Sequence, residues 1–163
     1  MWGNAFLQQA RSDWKAYNEI RQLSLDSCHK LYYLRVTTEK LGKAALLKSG
    51  AYTPDTVRKH KVFVKYLQQA HKNPRLCNSL NMKPSQVKEY VDSVLSVANG
   101  IQNLAPGEGN NGANAEYPWE ISGKMYVPAS YKFPEVDLLE TVEGRKFLKL
   151  VKTILDKFEA AYS

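Results

Sequence analysis

Cysteine and histidine are scarce in this sequence, and their scarcity limits the chemistry that the chain can support. The two cysteines, Cys28 and Cys77, follow no metal-binding spacing and indicate no disulfide framework, so we interpret both as buried thiols. The three histidines are too scattered for a zinc site, and the Glu-x-x-His pairs of di-metal helical bundles do not occur. Nucleophile-elbow, HExxH and paired-carboxylate signatures are also missing. We therefore expect no metal and no cofactor, and no motif names a catalytic residue.

Long apolar runs are missing as well. No segment approaches the roughly 18 apolar residues that a membrane-spanning helix needs. The first fourteen residues lack the basic start and unbroken apolar stretch of a signal peptide. With 44% hydrophobic and 24% charged residues, the composition is that of an ordinary globular protein. We expect one domain over residues 1–163, in the cytoplasm and without a membrane partner.

Acidic residues are outnumbered, and the imbalance is uneven along the chain. The 23 Lys and Arg against 16 Asp and Glu give a net charge of +7. Residues 1–82 contain 14 basic and 5 acidic residues, a net charge of +9, whereas residues 83–163 contain 9 and 11, a net charge of −2. A basic half indicates a surface for phosphates, nucleic acid or an acidic partner. Solubility alone is the alternative explanation.

Helical periodicity is abundant, most clearly in residues 31–50. Gly50 suits the left-handed turn that closes a helix, and Asp26 or Ser27 is a suitable N-cap. Gly42 is small enough to let a neighbouring helix approach closely. The predicted apolar stripe of this helix comprises Leu31, Leu34, Thr38, Leu41, Ala45 and Leu46. Charged residues occur at the same spacings and either form a solvated face or line a pocket between helices: Arg35, Glu39, Lys40 and Lys43.

Four further helices follow from the same criterion, and together they predict an all-α fold. The predicted helices are Asn4 to Gln22, residues 57–72 (capped by Thr53 and Pro54), residues 84–104, and a last helix from between Pro134 and Thr141 to Phe158 or beyond. The connections are a turn-rich segment at 73–84, a mobile Gly/Asn surface loop at 107–114, and an extended segment at 121–134 held by aromatic residues, with no strand pattern. The prediction is an up-and-down bundle of about five helices with a long Gly/Pro-containing loop before the last helix.

One predicted helix carries a basic stripe. Opposite its apolar residues, the third helix places four cations at helical spacing, namely Arg58, Lys61, Lys65 and Lys72. Such a stripe can follow a phosphate backbone, although a solvated lysine face gives the same pattern.

Taken together, three motifs in consistent order resemble the HEPN domain, the family named for higher eukaryotes and prokaryotes nucleotide-binding. Residues 37–47, TTEKLGKAALL, are similar to the core of the family's second helix. His60 with Val62 and Phe63 is similar to the start of its third helix. Residues 114–118, NAEYP, are similar to its late Tyr-Pro loop. The resemblance covers nearly the whole chain.

The sequence also departs from the family pattern. Val36 stands where Gln often precedes the second-helix motif, and Glu116 stands where Arg usually precedes Tyr-Pro. The ribonuclease members carry Arg-x4–6-His, but the Arg–His pairs here have seven, one and twelve residues between them: Arg21 to His29, Arg58 to His60, and Arg58 to His71. Metal-independent RNA cleavage needs an acid–base His and a cation for the phosphorane. The missing motif disfavours that activity.

The resemblance implies a non-catalytic protein that binds a nucleotide or RNA near the second and third helices, as a homodimer. Lysines would meet phosphate, Arg35 would make a bidentate contact, His60 would donate a hydrogen bond, and Tyr117 or Trp119 would stack on a base. Two alternatives remain: a toxin-type ribonuclease, and a protein-binding companion of a minimal nucleotidyltransferase. The expected ligand-binding residues are Arg35, Lys40, Lys43, His60, Lys61 and Tyr117.

Overall fold

Seven α-helices and one short hairpin form the chain over the residues that the structure describes. The computed structural model describes residues 1–162, apart from the side chain of Asn110. The prediction of an all-α fold is confirmed, with more helices than the five expected. The helices are α1 (Trp2–Ile20), α2 (Ser27–Lys48), α3 (Phe63–Gln69), α4 (Pro74–Ser79), α5 (Pro84–Gln102), α6 (Pro134–Glu140) and α7 (Val142–Tyr162).

The central element is α2, which contacts α1, α3, α5, α6 and α7. All six residues of its predicted stripe are buried, from Leu31 to Leu46. Asp26 is its N-cap residue, although no side-chain hydrogen bond caps the helix, and Gly50 follows its end with a φ of 76°. A Cβ on Gly42 would lie 2.8 Å from the Cα of Phe63, so this glycine lets the start of α3 approach α2 closely, as predicted.

The predicted third helix begins too early. Residues 54–62 form turns, and the helix itself is limited to α3, followed by a 3₁₀ turn at Ala70–Lys72. Thr53 and Pro54 do not cap it, because the Thr56 hydroxyl accepts from the Thr53 N–H and donates to the Thr53 carbonyl, which closes a local turn. Arg58 and Lys61 therefore precede the helix, and the four-residue basic stripe is not one helical face.

The segment predicted as a connection at 73–84 contains α4. Asn73 caps it, since its Oδ1 accepts from the Leu76 N–H at 3.1 Å, and Pro74 occupies the first turn. Cys77 lies in this helix and Cys28 in α2. Both thiols are free and buried, as expected.

A hairpin lies where no strand was predicted. Strands β1 (Trp119–Ile121) and β2 (Lys124–Tyr126) pair antiparallel, with Trp119 opposite Tyr126. Ser122 and Gly123 connect them, both with positive φ. The Trp119 ring stacks on Tyr126 at 5.7 Å between centroids and meets Tyr131 edge-on at 4.9 Å. Aromatic contacts therefore hold this segment in place, as the sequence indicated.

The predicted last helix is divided into α6 and α7 at Thr141. The backbone is extended there, with a ψ of 170°, and the Thr141 hydroxyl accepts from the Gly144 N–H at 3.0 Å. The predicted apolar stripe of α7 is buried at Val151, Ile154, Leu155 and Phe158 and half-buried at Leu148. Within residues 1–162, no helix combines the length and hydropathy that crossing a bilayer requires.

Candidate functional site

Three of the six predicted site residues meet at one carboxylate, that of Glu39 on α2. Arg35 Nη1 lies 2.9 Å from Glu39 Oε2, and Lys43 Nζ lies 2.6 Å from Oε1. Both cations are one helical turn from Glu39, the i,i+4 spacing that brings side chains together on a helix surface. His60, from the loop before α3, places Nδ1 2.9 Å from Oε2. These residues with Glu116, described next, form what we call the Glu39 cluster.

Most of the Glu39 cluster is removed from water. The exposed fractions of the side chains are 5% for Arg35, 10% for Lys43 and 12% for Glu39. Glu116, from the loop before β1, provides Arg35 with a second carboxylate. Removing charged side chains from water to this extent is costly unless they are paired, and the ion pairs of the cluster offset that cost. Only His60, with 47% of its side chain exposed, extends from the cluster to solvent.

The charges of the cluster balance. Two carboxylates oppose one guanidinium and one ammonium, so the net charge is zero when His60 is neutral and +1 when it is protonated. The sequence left open whether these α2 charges form a solvated face or line a pocket between helices. Arg35, Glu39 and Lys43 instead form a buried network of ion pairs. Arg35 and Lys43 are consequently engaged with carboxylates and are not free to meet a phosphate.

The pKa of Glu39 is lowered. Burial raises the pKa of this carboxyl, but hydrogen bonds and charge attraction from Lys43 and His60 outweigh the burial. Glu39 is therefore ionised at neutral pH and acts as the counter-ion that its spacing from Lys43 indicated.

Lys40 and Lys61 lie outside the cluster and have carboxylate partners of their own. Lys40 Nζ lies 2.5 Å from Oδ2 of Asp13, a buried residue of α1, so Lys40 joins α1 to α2. Lys61 Nζ lies 2.9 Å from Oε2 of Glu108 and is half-exposed. Both lysines, which the family resemblance predicts to meet phosphate, are paired with carboxylates in this structure.

Tyr117 projects from a loop whose backbone is fixed. The side-chain oxygen of Asn114, a buried residue, accepts from the N–H groups of Glu116 at 2.9 Å and Tyr117 at 2.7 Å. The Tyr117 side chain is 60% exposed. It borders a groove of about 440 Å³ whose other lining residues include His29, Tyr32, Val127 and Pro128.

A run of four basic residues contributes His60 to the cluster. Arg58, Lys59, His60 and Lys61 are all exposed, and we call this segment the basic loop. Arg58 pairs with Asp55 at 2.7 Å, but both side chains are about four-fifths exposed, so water weakens that pair. Among the described residues, no ion pair engages Lys59.

Sequence reasoning missed the acidic partners. Asp13 falls on the same buried helical face as Ala10 and Tyr17. A carboxylate at a buried position needs a cation beside it, and this position could have indicated the ion pair from the sequence. Glu116, which stands where the family usually has Arg, is the second partner of Arg35.

Within the described residues, no three His, Cys, Asp or Glu side chains are arranged to hold a metal ion. Comparison of the chain with protein-family models, curated proteins and solved structures gives no match.

Proposed function

We propose that this chain is a HEPN-like, non-catalytic protein that binds nucleotides or single-stranded RNA on the surface around the Glu39 cluster, and that it does so as a homodimer. Phosphates meet the basic loop, and a base stacks on Tyr117. Arg35 and Lys43 hold the surface in place from beneath, a different role from the phosphate contacts expected from the sequence. A solution mass near that of one 18.5 kDa chain in light scattering would contradict the homodimer.

One observation carries the proposal: a single carboxylate connects the basic loop to the loop of Tyr117. Glu39 Oε2 lies 2.9 Å both from His60 of the basic loop and from Arg35, and Arg35 binds Glu116, the neighbour of Tyr117. A chain of ion pairs thereby joins the loop that carries exposed cations to the loop that carries an exposed aromatic ring. Proteins that bind single-stranded nucleic acid combine these two features, cations for the backbone and rings for the bases.

The proposal predicts different effects for the two kinds of contact. Tyr117→Ala should weaken binding of a fluorescent single-stranded RNA by about 1–3 kcal/mol, because one stacking contact is lost. Lys59→Ala should weaken it modestly and lower the slope of log K against log salt by about 0.7, the change for one phosphate contact on a single strand. Fluorescence anisotropy at several salt concentrations measures both quantities.

The chain offers matched controls for both variants. Val142 is exposed to a similar degree as Tyr117 (54% against 60%) but lies at the start of α7, so Val142→Ala, which removes an exposed apolar side chain, should leave RNA affinity unchanged. Lys149, an exposed lysine of α7, controls for the loss of one positive charge. RNA binding that is absent, or that falls equally in the control variants, would refute the proposal.

The ribonuclease alternative is favoured by one contact. Glu39 holds the Nδ1 side of His60, and His60 is half-exposed, so its Nε2 is free for proton transfer to or from an RNA hydroxyl. Arg35, which the reaction would need for the phosphorane, is engaged with two carboxylates. Incubation of RNA with the protein in EDTA separates the two functions, since only a nuclease gives cleavage that disappears in His60→Ala.

A further inference from the structure

A second cavity lies at the other end of α2, away from the Glu39 cluster. Lys48, which lines it, follows Glu39 by nine residues, about 14 Å along a helix axis. The cavity has a volume of about 440 Å³ and forms where the ends of α2 and α7 meet the Ala70–Lys72 turn and the start of α4. This volume falls in the range of small-molecule sites. Its apolar lining includes Ala45, Leu46, Ala70 and Ala161.

The charged residues of this cavity all have one sign. Lys48, Lys72 and Arg75 line it, all three are exposed, and no described residue of the lining is acidic. Among residues 1–162, no ion pair engages Lys72 or Arg75. Lys48 attracts the carboxylate of Glu159, which Arg11 binds through two hydrogen bonds of 2.6 and 2.8 Å. The cavity therefore attracts anions, in contrast to the charge-balanced Glu39 cluster.

A buried pair of tyrosines forms one wall of the cavity. Tyr66 is only 3% exposed, and both it and Tyr162 line the cavity. Burial raises the pKa of Tyr66 well above its usual value, and the charge and hydrogen-bond interaction of Tyr162 add to the shift. The Tyr66 hydroxyl has almost no accessible surface, so this pair contributes its rings to the apolar wall and the hydroxyl does not contact the ligand.

The cavity walls are fixed by a side chain that is unavailable to a ligand. Asn73 lies in the lining, but its Oδ1 accepts from Leu76 N–H and its Nδ2 donates to the Ala161 carbonyl at 3.2 Å. Asn73 thereby ties the end of α7 to the start of α4, which keeps the cations and Tyr66 on one cavity.

We propose that this cavity binds the phosphomonoester of a small organic molecule. The phosphate dianion meets Lys72 and Arg75, with Lys48 adding charge, and Arg75 offers the fork that matches phosphate oxygens. The organic group packs on the apolar lining, which includes the rings of Tyr66 and Tyr162. The cavity volume of about 440 Å³ limits the ligand to a small molecule. The site acts independently of the RNA-binding surface.

Calorimetric titration with phenyl phosphate tests the proposal, with inorganic phosphate as the probe that lacks the organic group. The native protein should bind phenyl phosphate more tightly than inorganic phosphate. Lys72→Ala combined with Arg75→Ala should weaken phenyl phosphate binding at least about tenfold, since two charge-assisted contacts are lost. Lys146→Ala combined with Lys149→Ala removes the same charge from the exposed face of α7 and should leave the affinity unchanged.

Ala51→Trp tests the cavity by filling it. Ala51 lines the cavity and is exposed, so the fold should tolerate the larger side chain, which takes the space of the organic group and should lower the affinity for phenyl phosphate severalfold. An unchanged affinity would overturn the placement of the ligand in this cavity. No binding by the native protein, or an equal loss in the Lys146/Lys149 control, would overturn the site itself. RNA affinity should be the same in the two double variants, which separates this site from the proposed RNA surface.

Discussion

Glu39 is the residue on which the charged interior of the molecule depends. Its two oxygens hold Arg35 and Lys43 in a largely buried position and His60 at the surface. Each of the two buried cations has lost most of its hydration, and Glu39 is the only carboxylate that contacts Lys43 among the described residues. Its loss would leave a buried ammonium without a counter-ion, which is more costly than the absence of the whole pair.

We expect Glu39→Gln to lower the free energy of unfolding by about 3 kcal/mol at pH 7, the size of effect that follows from breaking a buried ion pair. The same substitution at Glu89, an exposed residue of α5, should change the free energy of unfolding by no more than about 0.5 kcal/mol.

The contribution of Glu39 to stability should depend on pH. Because the pKa of Glu39 is lowered in the folded protein, this contribution is complete above the unfolded pKa of about 4.3 and is lost as the pH falls through the folded value. Urea unfolding between pH 7 and 3 should therefore show a steeper acid loss in the native protein than in Glu39→Gln. Parallel curves would contradict this role.

At the scale of elements, the approach of α3 to α2 determines where the basic loop lies. A Cβ on Gly42 would sit 2.8 Å from the Cα and 3.1 Å from the N of Phe63, both backbone atoms that cannot move aside cheaply. Gly42→Ala should destabilise the fold by about 1–3 kcal/mol, although alanine is the better helix former. Gly100→Ala is the matched control in α5, since its Cβ would make only ordinary contacts of 3.5 Å, and it should stabilise by about 0.5–1 kcal/mol. Thermal unfolding of the two variants measures both effects. Stabilisation by Gly42→Ala as well as by Gly100→Ala would contradict the close approach of α3 to α2.

Element length determined what could be predicted from the sequence. The long helices α1, α2, α5 and α7 repeat their apolar spacing over several turns, so their positions were predicted closely. The six residues of α4 and the three-residue strands are too short to show a period. Val62 precedes Tyr66 by four residues and so continues the helical spacing of α3 in the sequence, although it lies on a turn before that helix. At the site, the spacing of Glu39 and Lys43 was readable, whereas Arg35 and Glu116 are 81 residues apart and meet only through the fold.

At the scale of the whole molecule, the basic and neutral halves of the sequence are interleaved. Among the residues that the structure describes, carboxylates of the second half pair with cations of the first half in three places: Arg11 with Glu159, Arg35 with Glu116, and Lys61 with Glu108. The positive charge of residues 1–82 is therefore partly neutralised within the fold. Lys59, in the basic loop, and Lys72 and Arg75, at the cavity, remain outside these pairs. The net charge of +7 is consequently a poor guide to a site, and the pattern of pairing is a better one.

The most direct test of the proposed RNA surface is a titration of the ¹⁵N-labelled protein with a short single-stranded RNA, followed by amide chemical shifts. The largest shifts should occur in two segments far apart in sequence, residues 58–61 and 114–118, because the Glu39 cluster holds both beside the ligand. Smaller shifts should follow at Arg35 and Glu39 beneath them, with none along the exposed face of α7. Shifts confined to one of the two segments, or centred on another face, would contradict the claim that this cluster assembles an RNA-binding surface.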